Sequence, residues 1–200
     1  MTSSAVAPEA LDVTPAGTFE VDPAHSRLGF AIRHMMTPVH GQFLRFSGNG
    51  VLAGSDLAGS SVVVTIEAAS IETHQPDRDA HLRTADFFDV DAHPTITLAS
   101  TSVRRLGGDR VVVAGDLTIK GITRLVELEF TYHGAGTDPY GQLRLGFTGT
   151  GKVSRRDWGL TWNVALETGG MVLGDTITLE IEVTALVTSS TPELKGEETP

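Results

Sequence analysis

The chain has 200 residues and a formal charge of −10, from 15 Lys and Arg against 25 Asp and Glu. That balance argues against a general nucleic-acid surface, which needs clustered cations to neutralise phosphates. Arg104-Arg105 and Arg155-Arg156 are local basic pairs only. With no cysteine, disulfides, thiolate nucleophiles and sulfur-ligated zinc are excluded.

Residues 1–17 are rich in Ala, Pro, Ser and Thr and are expected to be disordered, as is the polar, acidic tail 189–200. The first segment has no basic start and no apolar run, so it does not read as a secretory leader. No apolar stretch approaches the roughly 20 residues of a bilayer-spanning helix. The expectation is a cytoplasmic protein that is not integral to the membrane, with one domain over 18–188.

Within that domain, strand patterns follow one another. Phe19 to Val21 opens the series and Asp22-Pro23 turns the chain. Leu28, Phe30, Ile32 and His34 then share one face, against Arg27, Ala31 and Arg33 on the other. Val39 to Phe46 reads as the next strand, with Ser47-Gly48-Asn49-Gly50 as a turn or bulge. Val62, Val64, Ile66 and Ala68 alternate with Val63, Thr65 and Glu67.

Asp77 to Pro94 changes the period. Leu82, Ala85 and Phe88 recur three apart, with Ala80 beside them, which predicts a short amphipathic helix over about 77–88. Pro94 marks the return to strand. Beyond it Ile96 and Leu98 alternate with threonines, and Val111, Val113, Gly115, Leu117 and Ile119 share a face up to a turn at Lys120-Gly121. Val126, Leu128, Phe130 and Tyr132 follow, then Leu143, Leu145, Phe147 and Val153. Ile177, Leu179, Ile181, Val183, Ala185 and Val187 form the clearest alternation of all.

About eight antiparallel strands, each with one apolar face, must pack as a sandwich or close on themselves. Their length favours an eight-stranded barrel, because strands well beyond the usual five or six residues would otherwise leave long exposed edges. A barrel of that size is about wide enough for one small ligand.

Five stretches, VDPAHSRLGFAIRHMM, GQFLRFSGNG, DRDAHLRTADFFDVDAHPTITL, VAGDLTIKGITRLVELEF and SRRDWGL, occur in an order that resembles the YceI-like family of polyisoprenoid-binding, lipocalin-like proteins. The resemblance spans about Thr18 to Val187. It implies an all-β, eight-stranded antiparallel lipocalin-like barrel with one short helix covering it. It also implies a long isoprenoid lipid, or an isoprenoid quinone, held in the interior for carriage or storage. Many members are exported, and this chain departs from them in its first residues. The resemblance allows a homodimer, for which the sequence carries no interface signal.

The residues expected to line the apolar cavity are Phe30, Ile32, Phe43, Val64, Ile66, Leu82, Phe87, Phe88, Leu117, Ile119, Phe147, Trp158 and Trp162. His34 continues an apolar face, and Arg156, in Arg155-Arg156-Asp157-Trp158-Gly159, could pair with a pyrophosphate head group, so both are candidates for a polar mouth. Asp86, Asp89, Asp91 and His93 could offer ligands to a divalent cation, but their spacing matches no calcium loop and suits turns and helix caps. The histidines make no HxH or HExxH pattern, and there is no GxSxG elbow, P-loop or GxGxxG. No catalytic residue, metal or cofactor is expected. Two other readings stay open: a small barrel hydrolase or isomerase using His34 with a carboxylate, and a solid barrel serving as a protein-interaction module.

Overall fold

The alternating runs form strands because period two puts every apolar side chain of a run on one side of a pleated ribbon. In the computed structural model, which describes residues 15–54, 57–165 and 171–190, they are β1 (Ala16–Val21), β2 (Arg27–His34), β3 (Thr37–Phe43), β4 (Phe46–Ala53), β5 (Ser61–Glu67), β6 (Ile71–Glu72), β7 (Thr95–Gly107), β8 (Arg110–Ile119), β9 (Ile122–Thr137), β10 (Leu143–Ser154) and β11 (Leu173–Ser190). Among the described residues a single α-helix, α1 (Pro76–Arg83), lies between β6 and β7. Strand therefore begins at Ala16 and runs to Ser190, slightly beyond the expected ordered span. The expectations for 1–14 and 191–200 fall outside the described residues.

The eleven segments make eight strands of a closed antiparallel barrel. β1 and β2 are two halves of one kinked strand: β1 pairs with β4, β2 with β3, and both pair with β11. In the same way β4 pairs with β5 and β3 with β6. From β5 the order runs through β7, β8, β9 and β10 to β11, and β11 closes on β1. No helix among the described residues is long and apolar enough to cross a membrane.

Each kink has a local cause. Asp22 accepts from the Ala24 amide at 3.0 Å and Pro23 cannot donate, so the ladder is interrupted until Ser26, whose Oγ accepts from the Thr184 amide at 3.0 Å. Across the wall, the Leu44 and Arg45 amides donate to the carbonyl and Oγ of buried Ser70, both at 3.1 Å. The ladder is broken but its polar groups are paired.

Two expectations are corrected here. Ser47-Gly48-Asn49-Gly50 is not a turn but the middle of β4. A Cβ on Gly50 would stand 2.1 Å from the Ser61 carbonyl oxygen and 2.6 Å from the Phe19 ring, so glycine serves close approach rather than chain reversal. By contrast Lys120 and Gly121, with φ of 50° and 72°, do form the expected two-residue turn between β8 and β9.

The expected short helix is present, and the second correction concerns where it ends and how it docks. It runs over Pro76–Arg83, capped by the Gln75 side chain, and stops where Thr84 Oγ1 donates to the His81 carbonyl at 2.8 Å. Ala80 and Ala85 face outward, and its buried residue is Asp79, 6 % exposed. Asp79 accepts from the Thr73 amide at 2.9 Å and from the Thr73 hydroxyl. Arg83 donates to the carbonyls of Ala69 and Ile71, both at 2.8 Å. The helix is thus docked by polar contacts, not by an apolar stripe, and Phe87 and Phe88 enter the core from the turn that follows it.

Arg144 on β10 donates to both Asp22 and Asp138, tying the first kink to the β9–β10 connection. That contact holds the Asp22 carboxyl down at about 2, against 3.8 ordinarily. A lowered carboxyl pKa stabilises the fold above the unfolded value and loses that contribution as pH falls through the folded one. Between about pH 4 and pH 2 the melting temperature of Asp22→Asn should therefore fall less steeply than that of the parent chain. Equal slopes would show that the ion pair is not coupled to folding. Gly50→Ala, meeting backbone rather than a flexible side chain, should lower unfolding free energy in urea by about 1–3 kcal/mol or more.

Candidate functional site

The barrel is hollow. An almost wholly apolar cavity of about 730 Å³ runs through it, within the range of small-molecule binding pockets. Many inward side chains, including Leu28, Phe30, Ile32, Val64 and Ile181, remain only half-buried, because one side of each faces this space and not another side chain.

All thirteen apolar residues singled out from the sequence lie on the cavity wall. Phe30 and Ile32 come from β2, Phe43 from β3, Val64 and Ile66 from β5, and Leu82 from α1. Phe87 and Phe88 come from the turn after the helix, Leu117 and Ile119 from β8, and Phe147 from β10. Trp158 and Trp162 follow β10. Sequence reasoning omitted other wall residues with the same alternation, such as Leu98, Leu128, Leu179 and Ile181.

Aromatic rings close the helical end. Phe43 lies between Phe30 and Phe88 at centroid distances of 5.9 and 5.8 Å. The His81 ring stands edge-on to Phe87 at 5.1 Å and to Trp162 at 4.7 Å. Trp158, 1 % exposed, donates its indole N–H to the Leu117 carbonyl at 3.1 Å, which fixes the ring against β8.

Polar wall residues gather mostly at this same end. His34, Thr73, Gln75, Asp77, Arg78 and His81 line it, while Ser60 and Ser61 lie on the wall near the start of β5. Arg78 is committed to Thr73, donating to its hydroxyl and carbonyl oxygens at 2.7 Å each. None of the 73–81 group was found from sequence, because polar residues around a helix start read as ordinary caps.

Arg156 is not on the wall, which corrects its expected place at the mouth. The 3-10 turn Arg155–Trp158 points Arg155 and Trp158 inward and leaves Arg156 half exposed, 2.8 Å from Asp175. Arg155, 3 % exposed, donates to the carbonyls of Gly174, Leu160 and Trp162 and lies 3.3 Å from Asp175. Burial pulls its guanidinium below the usual value while Asp175 opposes that, and the Arg156 contact lowers the Asp175 carboxyl. Arg155 therefore clamps the chain crossing the barrel end.

Of the acidic cluster, Asp86 lies 2.9 Å from His81 Nε2, and Asp89 adopts φ 50° while its carbonyl accepts from the amides of Ala92 and His93. The His93 ring packs over Gly121. Among the described residues no group of three or more such side chains is placed to share a cation.

With this geometry in hand, similar proteins can be set beside it. A UPF0312 protein of Vibrio cholerae is 36 % identical over 138 residues, covering 68 % of this chain and 73 % of that one. The YceI protein of Campylobacter jejuni superposes with a TM-score of 0.68 at 28 % identity, over 78 % of this chain and 88 % of its own. A polyisoprenoid binding domain from Saccharophagus degradans shares the fold at 13 % identity, with a TM-score of 0.62 over 84 % and 98 % of the two chains. The profile of the YceI-like domain matches residues 19–185, essentially the whole barrel, and the chain belongs to the YceI-like family.

Proposed function

We propose that this protein binds an apolar lipid, a polyisoprenoid or an isoprenoid quinone, inside the barrel and shields it from water during carriage or storage. The observation that carries the reading is the hollow, apolar interior with half-buried walls. A packed core would leave no such volume, and leaving it empty forfeits contacts on every side. Membership of the YceI-like family supports the reading, as does the name of the Saccharophagus degradans domain, which shares this fold.

The energetics are sufficient. Each buried methylene contributes about 0.8 kcal/mol, so two or three isoprene units would supply about 8–12 kcal/mol before the entropy of ordering is subtracted. Few polar contacts are then needed, and the wall offers few. His34, Gln75 and His81 at the helical end are suited to a small polar head group. The enzymatic reading has less behind it: the wall histidine beside a carboxylate is His81, with a half-exposed Asp86, and its ring packs edge-on against two aromatic rings.

Solvent extraction of the purified protein, followed by mass spectrometry, should recover a lipid, and stripped protein should take up added polyprenols. Repeated absence of both would overturn the reading. Phe87→Ala with Phe88→Ala should reduce retention more than Arg104→Ala with Arg105→Ala on the outer surface. Because Phe→Ala in a core costs about 3–5 kcal/mol, a second variant separates binding from folding. Ile66→Trp grows into the void, and it should reduce uptake while keeping the parent's circular dichroism.

A further inference from the structure

Three phenylalanines of the cavity wall are each paired across the sheet with a glycine: Phe19 with Gly50, Phe30 with Gly41 and Phe130 with Gly149. In each pair the ring lies where the glycine's Cβ would be. A Cβ on Gly149 would stand 2.3 Å from Phe130, one on Gly41 2.4 Å from Phe30, and one on Gly50 2.6 Å from Phe19. None of these glycines has a positive φ, so their own backbone conformation does not require glycine, although at Gly50 the Ser61 carbonyl also crowds the position. Glycine within a strand weakens it, and here what it gives in return is space. The bare Cα lets a ring lie flat against the neighbouring strand instead of standing into the lumen.

Phe130 occupies a special position among the three. It packs against both hydrophobic clusters of the barrel, the one around Tyr132 and Leu145 and the one around Trp158 and Leu117. It is therefore at the waist where the two ends of the cavity meet. The three atoms nearest to a Cβ on Gly149 are all atoms of that ring. A ring displaced from this seat has the strand behind it and open cavity in front.

We infer that Gly149 is a specificity-determining residue of the cavity: by seating Phe130 against the wall it keeps the waist open and sets the length of apolar chain the barrel accepts. The inference rests on the lipid-binding reading and goes beyond it by assigning chain-length selection to one cross-strand pair. With the seat filled, Phe130 divides the cavity. Short chains then still fit one end, while long chains lose the burial supplied by the other.

The test is a ladder of prenyl alcohols (geraniol, farnesol, geranylgeraniol and solanesol) competed against a fluorescent apolar probe on stripped protein. In Gly149→Ala, solanesol and geranylgeraniol should weaken by about tenfold or more while geraniol stays within about twofold of the parent. Adding Phe130→Leu to Gly149→Ala should restore the long chains. Gly146→Ala on the same strand, whose Cβ would meet only His133 at an ordinary 3.6 Å, should match the parent. Should Gly149→Ala melt too low to assay, Phe130→Trp narrows the waist without touching the seat and should give the same bias against long chains. A ladder unchanged from the parent, or weakened equally at all lengths, overturns the inference alone. A parent protein that binds no prenyl alcohol overturns the lipid reading, and this inference with it.

Discussion

The closure of β1 onto β11 is the constraint on which the rest of this molecule depends. An interior left unpacked cannot hold a fold together by jigsaw contacts, so the wall must be self-supporting. It becomes so when β1 closes on β11 and α1 occupies the stretch beyond β6, where the ladder is not continued to β7, so that little open edge remains to slip or aggregate. β11 carries that burden, pairing with β10 along one side and with β1 and then β2 along the other. Its eighteen residues are long enough to span both halves of the kinked strand opposite.

The kinks and the helix follow from this closure. Three neighbouring strands break at the same level, at 22–26, 44–45 and 68–70, and their orphaned groups are taken up by Asp22, Ser26 and Ser70. Beyond the breaks the third strand ends early, at Glu72 on β6, and α1 with its following turn occupies the space before β7. Polar contacts of Asp79, Arg78 and Arg83 dock α1, and the apolar interior is closed by Leu82 and by rings from the turn. Apolar cover and polar docking are thus carried by different side chains.

The same separation governs charge. Ion pairs lie on the outer side of the wall: Arg45–Glu67 is exposed, and a pair of that kind adds little stability, while Asp22–Arg144 is part-buried and is the one linked to folding. Among the described residues the one deeply buried cation, Arg155, is met largely by backbone carbonyls and serves to hold the chain across the barrel end. The lumen is thereby left to apolar surface and to volume, the two quantities that decide how much of a hydrocarbon chain can be taken from water.

The sequence by itself determined the strands, their inward faces and the family. Alternation is a local property, and Phe30, Ile66, Leu117 and Ile181 follow it without reference to any neighbour. The tertiary structure alone decided what those faces enclose. Period two cannot distinguish a packed sandwich from a hollow barrel, because both bury the same residues. It cannot tell that Gly50 is a point of close approach and not a turn, since that depends on Ser61 and Phe19 arriving from other strands. The three-residue recurrence likewise makes α1 look amphipathic, because Ala80 and Ala85 fit it while the residue that docks the helix is Asp79. Arg155 and Arg156 were indistinguishable until a single 3-10 turn sent one inward and the other out. Faces are written in local order, but volume, register and burial of charge exist only between strands that the closed barrel brings together.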